Sequence, residues 1–361
     1  MSTINDLLSP EDVEAFGRDM DAIRQEVLDD LGQRDVDYIR DIIRKQRGLE
    51  ITGRALLFAG ILPPAWLAGT ACLSLSKILD NMEIGHNIMH GQYDWTGDPA
   101  LASENFDWDN TSPASQWKHS HNYLHHTHTN IVGKDRDVGY GILRMSEEQR
   151  WNPYYLGNPL YAFLLAALFQ WGVAVHDLEV DRIGKPGDMG AKERKRRALE
   201  IADKAKGQVT KDYVLFPLLA GPFAPLVLGG NLAANLARNF WSFTIIFCGH
   251  FPDGVEQFSE AETQNETRGQ WYVRQLLGSA NIRGSKLFHI LSGNLSHQIE
   301  HHLFPDLPAH RYAEIAPKVR AACERYGLPY NTGSLSRQFG TTVKRIFKLA
   351  LPDREALPAA A

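Results

Sequence analysis

Five histidines fall within ten residues between His119 and His128, in the stretch WKHSHNYLHHTHTN, and the whole chain holds fourteen. Every imidazole brings two ring nitrogens that need partners, so a run this dense serves metal binding far better than packing. Two more groups join it. GHNIMHG sets His86 and His90 at i and i+4, one above the other on a helix face. No Glu follows His86, which excludes the zinc-protease pattern. HNYLHH sets His121 and His125 on one face, with His126 about 100° round and free to serve a neighbouring ion. QIEHH contributes Gln298, His301 and His302, and His250 ends the last long apolar stretch. His86, His90, His121, His125, His126, His250, His301 and His302 suit two metals with three or four imidazoles each and coordination positions to spare.

Three apolar blocks must position these groups: Ala55–Leu79, Pro159–Val175 and Tyr213–Cys248, in which Lys77 and Arg238 are the only Lys or Arg. A bilayer span needs about 20 residues. The first block, with Pro63-Pro64 inside it, reads as a short or re-entrant hairpin whose second helix runs on into the first histidines. The second, broken by Gln170, reads as an interfacial or buried helix. The third fits a helical hairpin turning near Gly229-Gly230-Asn231. Arg40, Arg44, Lys45, Arg47 and Arg54 before the first block, and nine Lys/Arg between Lys185 and Lys211, keep those flanks cytoplasmic by the positive-inside rule. The N-terminal segment predicts an amphipathic helix capped by Ser9, with Pro10 at its first position and an apolar stripe from Val13 through Phe16, Met20, Ile23 and Val27 to Leu31. The basic stretch AKERKRRALEIADKAKG reads as a solvated helix.

The expected architecture is all-α. An integral membrane base of about four transmembrane or re-entrant helices carries a cytosolic helical cap with a di-metal site. Residues 1–50 form N-terminal cytosolic amphipathic helices, 51–330 the main domain, and 331–361 a C-terminal cytosolic tail. Net charge is −5, which gives no reason to expect a nucleic-acid partner. Cys72, Cys248 and Cys323 lie 75 or more residues apart, which excludes a disulfide framework or an iron–sulfur cluster.

HNIMH, HNYLHH followed by THTN, and HQIEHHLFP resemble the three histidine boxes of integral-membrane fatty acid desaturases, in order and in the apolar segments between them. The Gln298 box is similar to that of front-end desaturases, and the resemblance covers roughly residues 50–330. It implies two non-haem iron ions, O2 as co-substrate, an acyl-CoA or acyl-lipid substrate, and an active site at the cytoplasmic face of the lipid bilayer. Unactivated C–H bonds are too weakly acidic for acid–base groups, so a metal-borne oxidant must break them. Against that pattern, Gln298 holds the ligand position and His297 is its competitor. His119 and His128, beside ligands, are expected to support them from behind, as is His297. Glu83, Asp135 and Asp137 are candidates to fix imidazole tautomers, and His176, His289 and His310 read as structural. The chain has no HPGG haem motif and no GxGxxG fingerprint, so electrons are expected from a separate ferredoxin or flavoprotein reductase. A membrane di-iron hydroxylase and a non-catalytic metal sensor share these histidines and stand as the alternatives.

Overall fold

The computed structural model describes residues 7–185 and 187–353. It is mostly helical, with one pair of three-residue strands, β1 (Asn281–Arg283) parallel to β2 (Thr332–Ser334). Helix α1 (Pro10–Asp29) starts where the sequence places it, with the Ser9 Oγ accepting from the Asp12 amide. Its stripe buries Val13, Phe16, Met20 and Val27 against α9 (Arg268–Leu277) and α11 (Tyr312–Tyr326), so this helix covers the protein's own core.

Helix α2 (Gln33–Phe58) runs without a break across residue 50 and turns at 59–62 into α3 (Pro63–Ile78). The prolines open the second helix, as Pro does at a first helical turn. From Ile78 the chain continues as a π-helical segment, Leu79–His86, and then Asn87–Met89, delivering His86 and His90. The second histidine group is carried the same way: Ala114–Trp117 (α4) leads into the π-helical Lys118–His125. Helices α5 (Asn158–Ala167) and α6 (Phe169–His176) follow, then the basic α7 (Gly190–Val209), whose Lys192, Lys195 and Lys206 are exposed.

The third apolar block departs from expectation. Instead of turning at Gly229-Gly230, the chain forms one helix, α8 (Ala224–His250). The turn comes earlier, at 220–223, where Gly221 has φ +54° and Pro222 follows. Gly230 is a packing residue, since a Cβ there would meet Leu57 Cδ2 at 2.5 Å. Glycine thus marks a close helix approach here and not a bend. Trp66 Nε1 donates to the Leu226 carbonyl at 2.9 Å, which ties the starts of α3 and α8 into one tip. Ile61, Leu62, Leu67, Leu218 and Leu219 at that tip are exposed. From Pro63 to His86 the rise is about 35 Å, so tip and histidines mark opposite ends.

No single helix among the described residues is long and apolar enough to cross a membrane; one pair, Pro153–Ala167 with Phe169–Arg182, is so only together and is bent by 101°. Beyond α10 (Gln298–Leu303), which bears the third histidine group, and α11, the segment from 331 adds β2 and helix α12 (Leu335–Ala350). Ile346 and Leu349 of α12 are buried, and α12 packs on α5 and α8. Residues 354–361 of the expected tail lie outside the described residues.

Candidate metal centre

Five segments converge: the end of α3, the α4 segment, the end of α8, α9 and α10. All eight histidines singled out in the sequence meet there, with ligand-capable nitrogens within 4.8 Å of one another in overlapping groups: His86, His90, His121 and His301; His125, His250 and His302; and His126 with either His301 and His302 or His121 and His125. His126 bridges the two halves, its ring centre 4.7 Å from those of His90 and His301 and 4.5 Å from that of His302.

The rings of His121 and His125 stack with centres 5.0 Å apart, as i and i+4 on one face do, and His126 stands edge-on to both. His121 turns toward His86 and His90, whereas His125 turns toward His250 and His302. Gln298 lies in the second half. Its Nε2 is 3.0 Å from His250 Nε2, while its Oε1 is buried without a partner. Gly249 makes this possible, because any Cβ there would sit 2.8 Å from Gln298 Cγ.

The donor chemistry fits metal ions. His86, His90, His121, His125, His126 and His301 each leave a buried Nε2 with no hydrogen-bond partner, an arrangement that costs free energy unless something accepts those lone pairs. Burial pushes His86 down to about 3, and His90, His126, His250, His301 and His302 well below the ordinary imidazole range, each helped by neighbouring rings. The rings are therefore neutral and able to donate. His125 is the exception: burial lowers it, but Asp135 and Asp137 outweigh that and hold it above the usual value.

Partners behind the rings fix their orientation. Asp135 lies 3.0 Å from His125 Nδ1 and Asp137 3.3 Å from His121 Nδ1. Asn87 Oδ1 is 3.0 Å from His86 Nδ1, Gln275 Oε1 3.0 Å from His302 Nδ1, and Tyr312 OH 3.3 Å from His301 Nδ1. Of these, Asp135 and Asp137 are legible beside the THTN motif. Asn87 was visible inside the first box but carried no signal, and Gln275 and Tyr312 sit on α9 and α11 with none nearby. Glu83 touches no ring: its carboxylate takes Tyr38 OH at 2.6 Å and Asn294 Nδ2 at 2.9 Å.

The three flanking histidines stay outside. His119 is exposed against Tyr123, His128 belongs to none of the clusters, and His297 stacks on His289 with ring centres 4.6 Å apart. His310 pairs with Asp35 at 2.9 Å and stacks on Tyr38, as a structural residue does.

Beside the rings runs an apolar cavity lined by Met82, Trp108, Phe169, Val173, Ile246 and Leu295, with His86, His121, His125 and His250 along one wall. His176 also lines it. The same residue also borders an open cleft edged by Arg136, Asp181, Arg182 and Lys185.

The family model described as fatty acid desaturase matches residues 63–334, which include all eight histidines. This chain belongs to the fatty acid desaturase family. The desaturase is 47% identical over 351 residues, 96% of its own length and 82% of the relative's, to the NADPH-dependent stearoyl-CoA 9-desaturase of Mycobacterium tuberculosis. It is 28% identical over 288 residues to the sn-1 linoleoyl-lipid 6-desaturase of Synechocystis sp., covering 76% of this chain and 77% of that one. Similarity extends to human fatty acid desaturase 3, at 27% over 227 residues, 60% of this chain and 46% of the human one. The desaturase thus has relatives named for CoA-borne and for lipid-borne acyl chains.

Proposed function

We propose that the protein is an acyl-CoA desaturase of the stearoyl class that introduces one double bond at a di-iron centre. The observation that carries this reading is the pairing of two half-clusters of unpartnered imidazoles with an apolar cavity along their flank. His86, His90, His121 and His301 would hold one iron and His125, His250 and His302 the other, with His126 between them and Gln298 offering its amide oxygen to the second. When bound, the irons and O2 supply the oxidising power to remove two hydrogens from adjacent methylenes. Balanced, the reaction takes the acyl chain, O2, two electrons and two protons to the alkene and two waters.

The chain's own residues do the rest. Asp135, Asp137, Asn87, Gln275 and Tyr312 hold the rings in their tautomers. Met82, Phe169, Val173, Ile246 and Leu295 exclude water and seat the acyl chain against the histidine wall, and position along that wall selects the bond. The cleft beyond His176 would take the polar carrier. The 47% identity to a protein named for stearoyl-CoA supports a CoA carrier. That relative is named NADPH-dependent, and the reductant here would reach the site through a separate carrier protein.

The exposed leucines at the tip of α3 and α8, with the basic residues of α2 toward the histidine end, favour a base sunk into the bilayer and a cytoplasmic cap. The test is to supply purified protein with stearoyl-CoA, O2, NADPH and a reductase–carrier pair, and to measure metal and product. Two irons per chain and a mono-unsaturated acyl chain are expected. Zinc in place of iron would support a sensor, and a hydroxylated acyl chain would make the protein a hydroxylase.

A further inference from the structure

The segment expected as a cytosolic tail carries α12, whose 16 residues, LSRQFGTTVKRIFKLA, include no Asp or Glu. Three stripes run along it at helical spacings. Gln338, Thr342, Ile346 and Leu349 are buried against the protein. Phe339, Val343 and Phe347 make the second stripe at steps of four, with Phe339 43% and Phe347 58% exposed. Arg337, Lys344 and Lys348, all exposed, make the third. Lys348 pairs with Glu147, but among the described residues Arg337 and Lys344 form no ion pair. The place of the helix is also defined. Gln338 Nε2 donates to the Asn281 carbonyl at 3.1 Å, and Thr341 Oγ1 accepts from the Asp253 amide at 3.2 Å. Ile346 lies in the cluster of Phe243, Phe247 and Phe251. A helix of this length measures about 24 Å, and laid along α8 it would reach well toward the tip. These contacts stay at the histidine end, so α12 crosses α8. Asn158 Nδ2 donates to the Ile346 carbonyl at 3.1 Å, which joins α12 to α5. Leu160, Phe163 and Leu164 of α5 are exposed as well, so two neighbouring helices each present an uncovered apolar face.

We propose that α12 is an interfacial helix that docks on anionic phospholipid headgroups at the membrane surface. Phe339 and Phe347 enter the boundary of the acyl chains, and Arg337 and Lys344 reach the phosphates. This rests on the reading of a base sunk into the bilayer, which puts the histidine end of α8 at the membrane surface. An apolar face alone would accept a second copy of the chain equally well. The cations decide between the two. An all-basic stripe repels its own copy, whereas each Lys or Arg near an anionic leaflet favours contact about fivefold.

The experiment places a nitroxide on the full chain at Phe347→Cys in a Cys72→Ser background, since Cys248 and Cys323 are buried. Reference labels stand at Leu67→Cys on the tip and at Glu324→Cys, an exposed position of α11. Metal content and unfolding midpoint establish that each labelled chain is folded. The chains are placed in discs of phosphatidylcholine, with or without phosphatidylglycerol, and probed with lipid-soluble O2 and a water-soluble nickel chelate. With phosphatidylglycerol present, the label at 347 is expected to be open to O2 and shielded from nickel. Arg337→Gln with Lys344→Gln should lower its lipid-to-water ratio by about an order of magnitude. Nickel access equal to that at 324 overturns the proposal. So does mutual broadening of labels on two copies, which would mean self-association. A ratio indifferent to phosphatidylglycerol and to the double variant overturns the anionic headgroup. The base is judged separately: a label at 67 open to nickel refutes the sunken base, while the label at 347 still decides whether α12 meets lipid.

Discussion

Two buried polar regions sit along the same helices and differ in one respect. Near the tip side, Arg54, Lys77, Asp109, Lys211 and Asp212 form a network in which each charge faces an opposite one, at 2.6 to 3.3 Å. Asn231 joins it, accepting from Arg54 at 2.8 Å, and Arg54 Nε and Asn235 Oδ1 are left over. In the histidine site, six of eight rings leave their Nε2 without a partner. Every charge in the network has an opposite charge within the protein, and the network pins α2, α3 and α8 together. The site is complete only with something added. Buried polar groups are common to both, so burial alone does not mark function; the missing partners do.

Four substitutions can break or sharpen this contrast. The largest effect is expected for His126→Ala, because His126 touches both half-clusters. It should eliminate turnover and lower bound metal in both halves, read as metal per chain. Retention of two ions would show that the halves are independent. Asp212→Ala should act on stability instead. It takes the nearest carboxylate from both Arg54 and Lys77, leaving them Glu50 and Asp109, and is expected to cost about 1.5–3 kcal/mol in denaturant unfolding, with metal per folded chain unchanged. A loss of metal without a loss of stability would erase the distinction between the two regions. Asp135→Asn takes the carboxylate from His125 and should weaken metal affinity about 10–100-fold, measured by competition with a chelator, with little change in the unfolding midpoint of the metal-loaded protein. His119→Ala, on an exposed ring outside the cluster, should change stability by no more than about 0.5 kcal/mol and leave product formation as it was. Strong loss of activity there would mean that the exposed face of this segment touches a partner or substrate.

The histidines themselves were legible because three short motifs repeat at helical spacings, and the resemblance carried by those motifs agrees with the family match. The α1 cap was legible for the same local reason: Ser9, Pro10 and a stripe of apolar residues all act within a few residues. What the sequence hid depends on distant contacts. Gln275 and Tyr312 reach the site from elements that carry no motif. Gly229-Gly230 looked like a turn because local preference allows one, but packing against Leu57 makes the pair part of a straight helix. The π-helical turns were hidden in another way. Nothing in KHSHNYLH announces the wider turn, yet the spacing of four still leaves His121 and His125 on one face.

The same π-helical segments make the chain unequally sensitive to changes of length. Leu79–His86 and Lys118–His125 each hold their histidines by an extra residue within a turn. Deleting one residue from either would let it relax to an ordinary α-helix, and because the wider turn spends one residue more on the same rotation, the helix beyond would keep its direction. A single-codon deletion in the ordinary α-helix ahead of these turns has no extra residue to give up, and would swing the ligands that follow by about 100°.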